Sequence, residues 1–216
     1  MHWINKDTEI YCSFAKVAGN TGCQMMNSAF YYYGLNKIYK SFSVESIEQA
    51  VLAVKTLGIK GFAITMPYKK EVLDFVDEID DSASIGAANT VLNNNGILKA
   101  YNTDYYAAFN TLQKHNQEDL YILGNGGYST AVQAAAKSLS INYEIITRES
   151  WGKIPSLKNS VIYNCTPVES LDKLIRKDNI FIDCLVTTKS GKELATIQAS
   201  YQFKLYTGKQ FPIGAF

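Results

Sequence analysis

A chain of 216 residues, 47% apolar and 19% charged, has the composition of a globular protein and excludes the collagen-like, low-complexity and disordered classes. Its 21 lysines and arginines against 20 carboxylates leave a net charge of +1, and no basic run exceeds Lys69-Lys70, which argues against a nucleic-acid partner. No apolar stretch approaches the ~20 residues that span a bilayer, and Met1-His2-Trp3-Ile4-Asn5-Lys6-Asp7 lacks a signal-peptide apolar region, so a cytoplasmic protein without a membrane partner is expected.

Ile10 to Ala15 reads as a strand, Gly19-Asn20-Thr21-Gly22 as a loop, and Cys23 to Tyr33 as a helix stopped by Gly34. Lys37 to Phe42 alternates like a half-buried strand. Ser46 is placed to cap a helix whose face carries Ile47, Ala50, Val51, Val54 and Leu57, with Gly58 as its stop. Gly61 to Thr65 follows as a buried strand, and Pro67 is expected to open a further helix with Val72, Leu73, Phe75, Val76 and Ile79 on its apolar side and Lys69 in its first turn. Strands alternating with helices predict a parallel α/β sheet.

Ala87 to Leu92 and Ile97 to Tyr101, joined through Asn93-Asn94-Asn95-Gly96, read as a β-hairpin. A helix from Tyr105 to about Lys114 follows, with His115 near its end, and the polar stretch His115 to Asp119 is a candidate domain boundary. A second α/β region begins with the strand Leu120 to Leu123, the glycine-rich Gly124-Asn125-Gly126-Gly127 and a helix from about Tyr128 to Leu139. Tyr143 to Thr147, Val161 to Asn164 and Ile180 to Asp183 are further strands, and Glu193 to Tyr206 reads as a closing helix.

Cys12, Cys23, Cys165 and Cys184 form no C-x-x-C pair and only His2 and His115 stand beside them, so no metal site is expected and the thiols read as buried small hydrophobes. The 15 tyrosines and 10 phenylalanines fall mostly at strand or helix spacing and read as core, although Tyr31-Tyr32-Tyr33 cannot all face one side of a helix.

Glycines between a strand and a helix permit a tight turn and close approach of a pyrophosphate to the helix N-terminal N–H groups, although three glycines also make a plain turn. The next strand ends Thr147-Arg148-Glu149: the arginine suits the 2′-phosphate of NADP, and the neighbouring glutamate opposes it. Lys69 just past one strand and Asp104 just past another stand where crevices of parallel sheets open, and such a pair can exchange a proton with a substrate hydroxyl or carbonyl. Without that context, each reads as a surface charge.

The segments Ile64-Thr65-Met66-Pro67-Tyr68-Lys69, Ile85-Gly86-Ala87-Ala88-Asn89-Thr90-Val91, Tyr101-Asn102-Thr103-Asp104 and Gly124-Asn125-Gly126-Gly127-Tyr128-Ser129 resemble, in order and spacing, the shikimate dehydrogenase family. The resemblance implies a two-domain α/β fold: a substrate domain over residues 1–115, completed by 192–216, and a shortened Rossmann-like NADP-binding domain over 116–191, with the active site in the cleft between them. It implies catalytic roles for Lys69 and Asp104, and substrate contacts for Thr65, Asn89 and Gln198. Asn20 and Thr21 fall where the family holds the substrate carboxylate. Gly124, Asn125, Gly126, Gly127, Tyr128 and Ser129 match the phosphate loop, and Thr147 and Arg148 the 2′-phosphate segment.

The chain departs from the family pattern in three places. Asn20-Thr21-Gly22-Cys23 replaces a Ser-x-Ser-Pro run, with Met26-Asn27 in place of His-Asn; 15 residues separate Arg148 from Asn164, where a helix and strand are usual; and after Asp183 the closing helix arrives almost at once, with Val186 at a frequent tyrosine position. The expected function is that of an NADP-dependent oxidoreductase interconverting a ring hydroxyl and a ketone on a shikimate-like small cyclic acid, in the shikimate pathway of aromatic amino acid biosynthesis, as a monomer or homodimer. The alternative is a catalytically weak or inactive relative that binds a nucleotide or a small acid.

Overall fold

The computed structural model describes residues 4–115 and 119–213. The polar stretch expected to mark a domain boundary runs through Asn116, Gln117 and Glu118, outside the described residues, as do Met1, His2, Trp3 and the last three positions of the closing segment. Two compact units divide the chain: Met1–Thr103 with Ala199–Phe216, and Asp104–Gln198.

The first unit is built on a six-stranded sheet with strands β1 (Glu9–Ala15), β2 (Lys37–Ser43), β3 (Gly61–Ile64), β4 (Glu78–Ile79), β5 (Thr90–Asn94) and β6 (Ile97–Tyr101), in the order β2-β1-β3-β5-β6-β4. β1 runs parallel to both β2 and β3, whereas β5 and β6 form an antiparallel hairpin against β3, so the sheet is mixed. Alternation along β1 divides the core. Cys12 and Phe14 meet Ile47, Val51 and Val54 of α2 (Ile47–Leu57) on one face, and Tyr11 meets Met26, Ala29 and Phe30 of α1 (Thr21–Tyr32) together with Phe203 and Tyr206 on the other.

Ser46 caps α2 as expected, accepting a hydrogen bond from the Gln49 N–H at 3.3 Å, and Gly58 ends it in the left-handed conformation at φ 66°. Leu57, expected on the apolar face, is 69% exposed. Tyr31 and Tyr32 are exposed.

No α-helix follows Pro67. The Met66-Pro67 bond is cis, Lys69 lies in the turn after it, and a single 3-10 helix spans Glu71–Phe75 before the chain extends into β4. The free edge of β6 decides this: the Asp77 N–H donates to the Leu98 carbonyl and the Asp80 N–H to the Ala100 carbonyl, each at 2.9 Å. Sheet pairing thus claims backbone that helical periodicity had assigned to a helix, and Ile79 is left 50% exposed. The hairpin turn is also tighter than expected. Asn93 and Asn94 remain in β5, and only Asn95 and Gly96, at φ 54° and 97°, make the two-residue loop.

The second unit has four parallel strands, β7 (Asp119–Leu123), β8 (Tyr143–Ile146), β9 (Ser160–Asn164) and β10 (Ile180–Asp183), in the order β10-β9-β7-β8. On one face α3 (Thr103–Leu112) and α4 (Gly127–Ser138) pack Ala107, Ala108, Leu112, Val132, Ala135 and Ala136 against Leu120, Ile122, Val161 and Tyr163. On the other, 3-10 helices at Arg148–Ser156 and Leu171–Leu174 bring Ile154 and Leu171 onto Leu123, Ile146 and Ile162. The stretch from Ile146 to Ser160 is close to the roughly dozen residues a parallel crossover needs, which leaves room for a 3-10 segment in place of a full helix.

The closing helix α5 (Lys189–Thr207) begins four residues earlier than expected, because the Thr188 hydroxyl accepts from the Gly191 N–H at 3.1 Å and caps it. Cys12 is the one cysteine that is fully buried; Cys23, Cys165 and Cys184 are half-buried. Among the described residues no helix is long and apolar enough to cross a membrane, and no group of His, Cys, Asp or Glu is arranged to hold a metal.

Candidate active site

In the first unit, backbone pairing fixes Thr65, Lys69 and Asn89. The Thr65 N–H donates to the Phe14 carbonyl at 3.0 Å, the Ile64 N–H to the Asn89 carbonyl at 2.8 Å, and the Ala88 N–H to the Lys69 carbonyl at 2.7 Å. The Tyr68 hydroxyl, donating to the Val44 carbonyl at 2.6 Å, anchors the residue before Lys69. Thr65 is exposed and its hydroxyl makes no hydrogen bond among the described residues, whereas Asn89 is buried.

The Asn89 side chain is held by a residue that sequence reasoning passed over. Its Oδ1 accepts from the Thr103 N–H at 2.7 Å and its Nδ2 donates to the Thr103 hydroxyl at 2.9 Å. Asn102, fully buried, donates from Nδ2 to the Ala87 carbonyl at 2.7 Å, and its N–H donates to Ser82 Oγ at 3.0 Å. Polar residues on both sides of a strand's end were the available signal. The stretch that replaces the serine run stands open: Asn20 and Thr21 are exposed, and Asn20 makes no side-chain capping bond to α1.

In the second unit Asp104 is fully buried in the first turn of α3, and the Gln198 side-chain amide donates to its carboxylate at 3.0 Å. Tyr128 turns its ring into the core, where its hydroxyl lies 3.0 Å from that of Tyr163. Burial, then the neighbouring Tyr163 and Asp104, push the Tyr128 phenol well above its ordinary range, so it stays protonated. Tyr163 gave no local signal beyond being a hydroxyl-tipped residue within an apolar strand.

The glycine loop makes a tight turn between β7 and α4. Gly124 sits at φ 93°, and a Cβ there would stand 2.7 Å from Thr166 Cγ2, so the β7 turn packs tightly on the segment after β9. Gly126 stands at the N-cap of α4 with no side-chain capping bond, and nothing lies within 4 Å of a Cβ built on it. Gln133 braces the loop, donating to Asn125 Oδ1 at 3.3 Å and to Ser129 Oγ at 3.0 Å. Ser129 is buried, so its hydroxyl serves this brace.

Thr147 forms a capping box with Ser150 and donates its hydroxyl to Glu149, which commits it to the 3-10 helix. Arg148 is exposed and has no ion pair or side-chain hydrogen bond among the described residues. An open glycine turn and a free guanidinium at the end of the next strand fit a 2′-phosphorylated dinucleotide. A separate cavity of about 650 Å³ is lined by Glu169, Asp172, Asp183, Thr188, Lys189 and Glu193, and none of the candidate residues borders it.

Residues 16–91 match the family model described as the shikimate dehydrogenase substrate binding domain. The chain is similar to the shikimate dehydrogenase family. It is 41% identical over 139 residues to a shikimate dehydrogenase-like protein of Haemophilus influenzae, an alignment covering 62% of this chain and 51% of that protein. It is 39% identical over 139 residues to the shikimate dehydrogenase (NADP(+)) of Caldanaerobacter subterraneus, covering 61% of this chain and 49% of that protein. In both alignments the chain thus spans about half the length of the relative. The solved structure of a shikimate 5-dehydrogenase-like protein superposes with a TM-score of 0.84 at 28% identity, over 99% of this chain and 96% of that one. Shikimate dehydrogenases are two-domain proteins, and the sheet in unit Asp104–Gln198 is the Rossmann-like one.

Proposed function

We propose that this protein is an NADP-dependent oxidoreductase that interconverts a ring hydroxyl and a ketone on a shikimate-like cyclic acid. The observation that carries the reading is the hydrogen bond from Gln198 to the buried Asp104, two family positions that the sequence holds far apart. The relative from Caldanaerobacter subterraneus, named as an NADP(+) shikimate dehydrogenase, supports it.

The hydride chemistry would be that of an NADP held by the glycine loop and Arg148. Lys69 gives a proton to the carbonyl oxygen as it becomes a hydroxyl and takes it back in the oxidative direction. Asp104 accepts a hydrogen bond from the substrate hydroxyl and orients it. Gln198, with its amide N–H spent on Asp104, keeps its carbonyl to accept from a second hydroxyl. Thr65 and Asn89 hold the ring hydroxyls, and Asn20 and Thr21 the carboxylate end.

Gly124, whose N–H donates to the Ile146 carbonyl at 2.9 Å, would shape the turn, the N–H groups of Asn125, Gly126, Gly127, Tyr128 and Ser129 would receive the pyrophosphate, and Arg148, beside Thr147, the 2′-phosphate. On this reading residues 1–103 with 199–216 form the substrate unit and residues 104–198 the cofactor unit.

The second reading, a catalytically weak or inactive protein that binds a nucleotide or small acid, is favoured by the four-stranded sheet and the 3-10 connection after Arg148. Titration with NADPH and separately with NADH, followed by nicotinamide fluorescence, and an assay of shikimate oxidation with NADP+ separate the two. Saturable NADPH binding with turnover is expected. Binding without turnover across a panel of cyclic hydroxy acids supports the second reading, and binding of neither nucleotide rejects the first.

A further inference from the structure

Cys165 and Cys184 stand at the ends of neighbouring strands. Cys165 follows Asn164, the last residue of β9, and Cys184 follows Asp183, the last residue of β10. Asn164 and Asp183 are register partners on these parallel strands. The ladder runs one step further, because the Cys184 N–H donates at 3.2 Å to the Asn164 carbonyl, which belongs to the peptide leading into Cys165. On its other side the Cys165 N–H donates to the Leu123 carbonyl at 3.0 Å, which fixes it against β7.

Both side chains belong to one face of the sheet. Cys165 is two residues past Tyr163 and Cys184 two past Ile182, and Tyr163 and Ile182 pack in the same cluster with α3 and α4. Cys165 packs against that cluster, and the Cys184 thiol donates at 3.8 Å to the carbonyl of Thr166, the residue after Cys165. Neighbouring strands run about 4.8 Å apart and a disulfide joins Cα atoms roughly 4.4–6.8 Å apart, so the two backbones already have the spacing of a disulfide. Both residues are thiols and only half-buried, within reach of a small oxidant, whereas Cys12 is fully buried.

The pair adjoins the glycine turn. A Cβ built on Gly124 would stand 2.7 Å from Thr166 Cγ2 and 3.8 Å from the carbonyl carbon and oxygen of Cys165, so the turn and the segment after β9 pack against each other. The Thr166 hydroxyl and N–H donate to Asn164 Oδ1 at 2.7 and 2.9 Å, and the Cys184 thiol holds its carbonyl. A bond between the two sulfurs removes the last of these contacts and acts directly on the residue before Thr166.

We propose that Cys165 and Cys184 are a site of reversible oxidation by a peroxide, closing an intramolecular disulfide that displaces the segment packed on the glycine turn and weakens nucleotide binding there. One thiolate attacks an oxygen of hydrogen peroxide, the O–O bond breaks, and a sulfenic acid and hydroxide form. The second thiolate attacks that sulfur, the S–O bond breaks and a second hydroxide leaves. The hydroxides take up the two thiol protons, so two thiols and one peroxide give one disulfide and two waters, with two electrons passing from sulfur to oxygen. A thiol reductant reverses the bond by exchange. The disulfide itself is independent of the oxidoreductase reading above; its effect on a nucleotide rests on that reading.

The test treats the full chain with hydrogen peroxide and reads intact mass, peptide mass and thiol content in the wild type, Cys165→Ser and Cys184→Ser. The wild type is expected to lose two hydrogens and two of its four thiols, to yield a cross-linked peptide holding Cys165 and Cys184, and to regain both thiols with dithiothreitol. Neither variant is expected to form a link. NADPH titration by nicotinamide fluorescence is expected to be about tenfold or more weaker for the oxidised wild type, the loss of a hydrogen bond or two to phosphate, and to recover with dithiothreitol. In both variants peroxide is expected to leave the Kd within about twofold, since no disulfide closes. Circular dichroism and thermal unfolding verify that the oxidised protein and the variants remain folded. A wild type that keeps all its thiols, or a link between any other pair of cysteines, overturns the proposal. A Cys165–Cys184 disulfide that leaves NADPH binding unaltered overturns it too, while the oxidoreductase reading stands. A reduced wild type that binds no NADPH overturns that reading and the nucleotide effect with it, and the cross-linked peptide still decides the disulfide.

Discussion

The Gln198 amide donates to the Asp104 carboxylate at 3.0 Å across a sequence separation of 94 residues, and Asp104 is fully buried at the point of contact. A buried carboxylate needs such donors, since each one lost leaves an acceptor without solvent or partner. Gln198→Ala is therefore expected to destabilise the fold by about 1–3 kcal/mol in urea unfolding and to lower kcat/KM for shikimate by about tenfold or more. Gln198→Glu brings two carboxylates together and is expected to be worse than alanine. Equal stability of the alanine variant and the wild type contradicts a structural share for this bond.

The proposed function gives Lys69 the proton transfer. Lys69→Ala is expected to reduce kcat by about 10²–10⁴-fold while NADPH binding by fluorescence titration stays within about twofold. Turnover left intact in that variant would remove the role.

Arg148 is exposed and free of ion pairs among the described residues, which leaves its charge for a ligand. Arg148→Ala is expected to weaken NADPH binding by about 10- to 100-fold and to leave NADH nearly unaffected, because NADH lacks the 2′-phosphate. Parallel loss of both nucleotides would place Arg148 elsewhere.

Gly124 combines φ 93° with a built Cβ only 2.7 Å from Thr166 Cγ2. Gly124→Ala is expected to cost about 1–3 kcal/mol and to abolish saturable nucleotide binding, because the turn must open to admit the methyl group. Thermal unfolding together with the NADPH titration reads both effects, and an unaltered titration would show the loop tolerant.

Asp77 ties the segment before β4 to the hairpin. The Leu98 N–H donates to its carboxylate at 2.7 Å and Lys55 Nζ lies 3.1 Å away, and these hold the carboxyl below its ordinary 3.8. A depressed folded-state pKa contributes stability that is present above the unfolded value and lost as pH falls through the folded one. Asp77→Asn is thus expected to be less stable than wild type at neutral pH, with the difference closing below about pH 4. A difference that persists unchanged in acid would assign it to packing.

Every sheet strand but β4, the helices α1, α2, α4 and α5, and the glycine turn were legible in the sequence, because each rests on neighbours within about four residues: periodicity, a capping serine, a glycine stop. Ser46 and Gly58 bound α2 by these local rules. The stretch after Pro67 was not legible. Its apolar spacing suits a helix, and the competitor that won, the unpaired edge of β6, lies some twenty residues further along the chain. Tyr128 likewise matched a cofactor-loop position by its sequence, yet its ring turns inward to Tyr163.

By itself, therefore, the sequence determined the α/β class, the order of the elements and the set of residues able to bind a phosphate, hold an acid or move a proton. Only the tertiary structure decided which of them meet: Gln198 with Asp104, Thr103 with Asn89, and Tyr39 with the space above Gly22. The reason is physical. Local patterns report the demands of neighbouring residues, whereas the partners of buried polar groups are set by where the rest of the chain leaves donors, acceptors and open sheet edges.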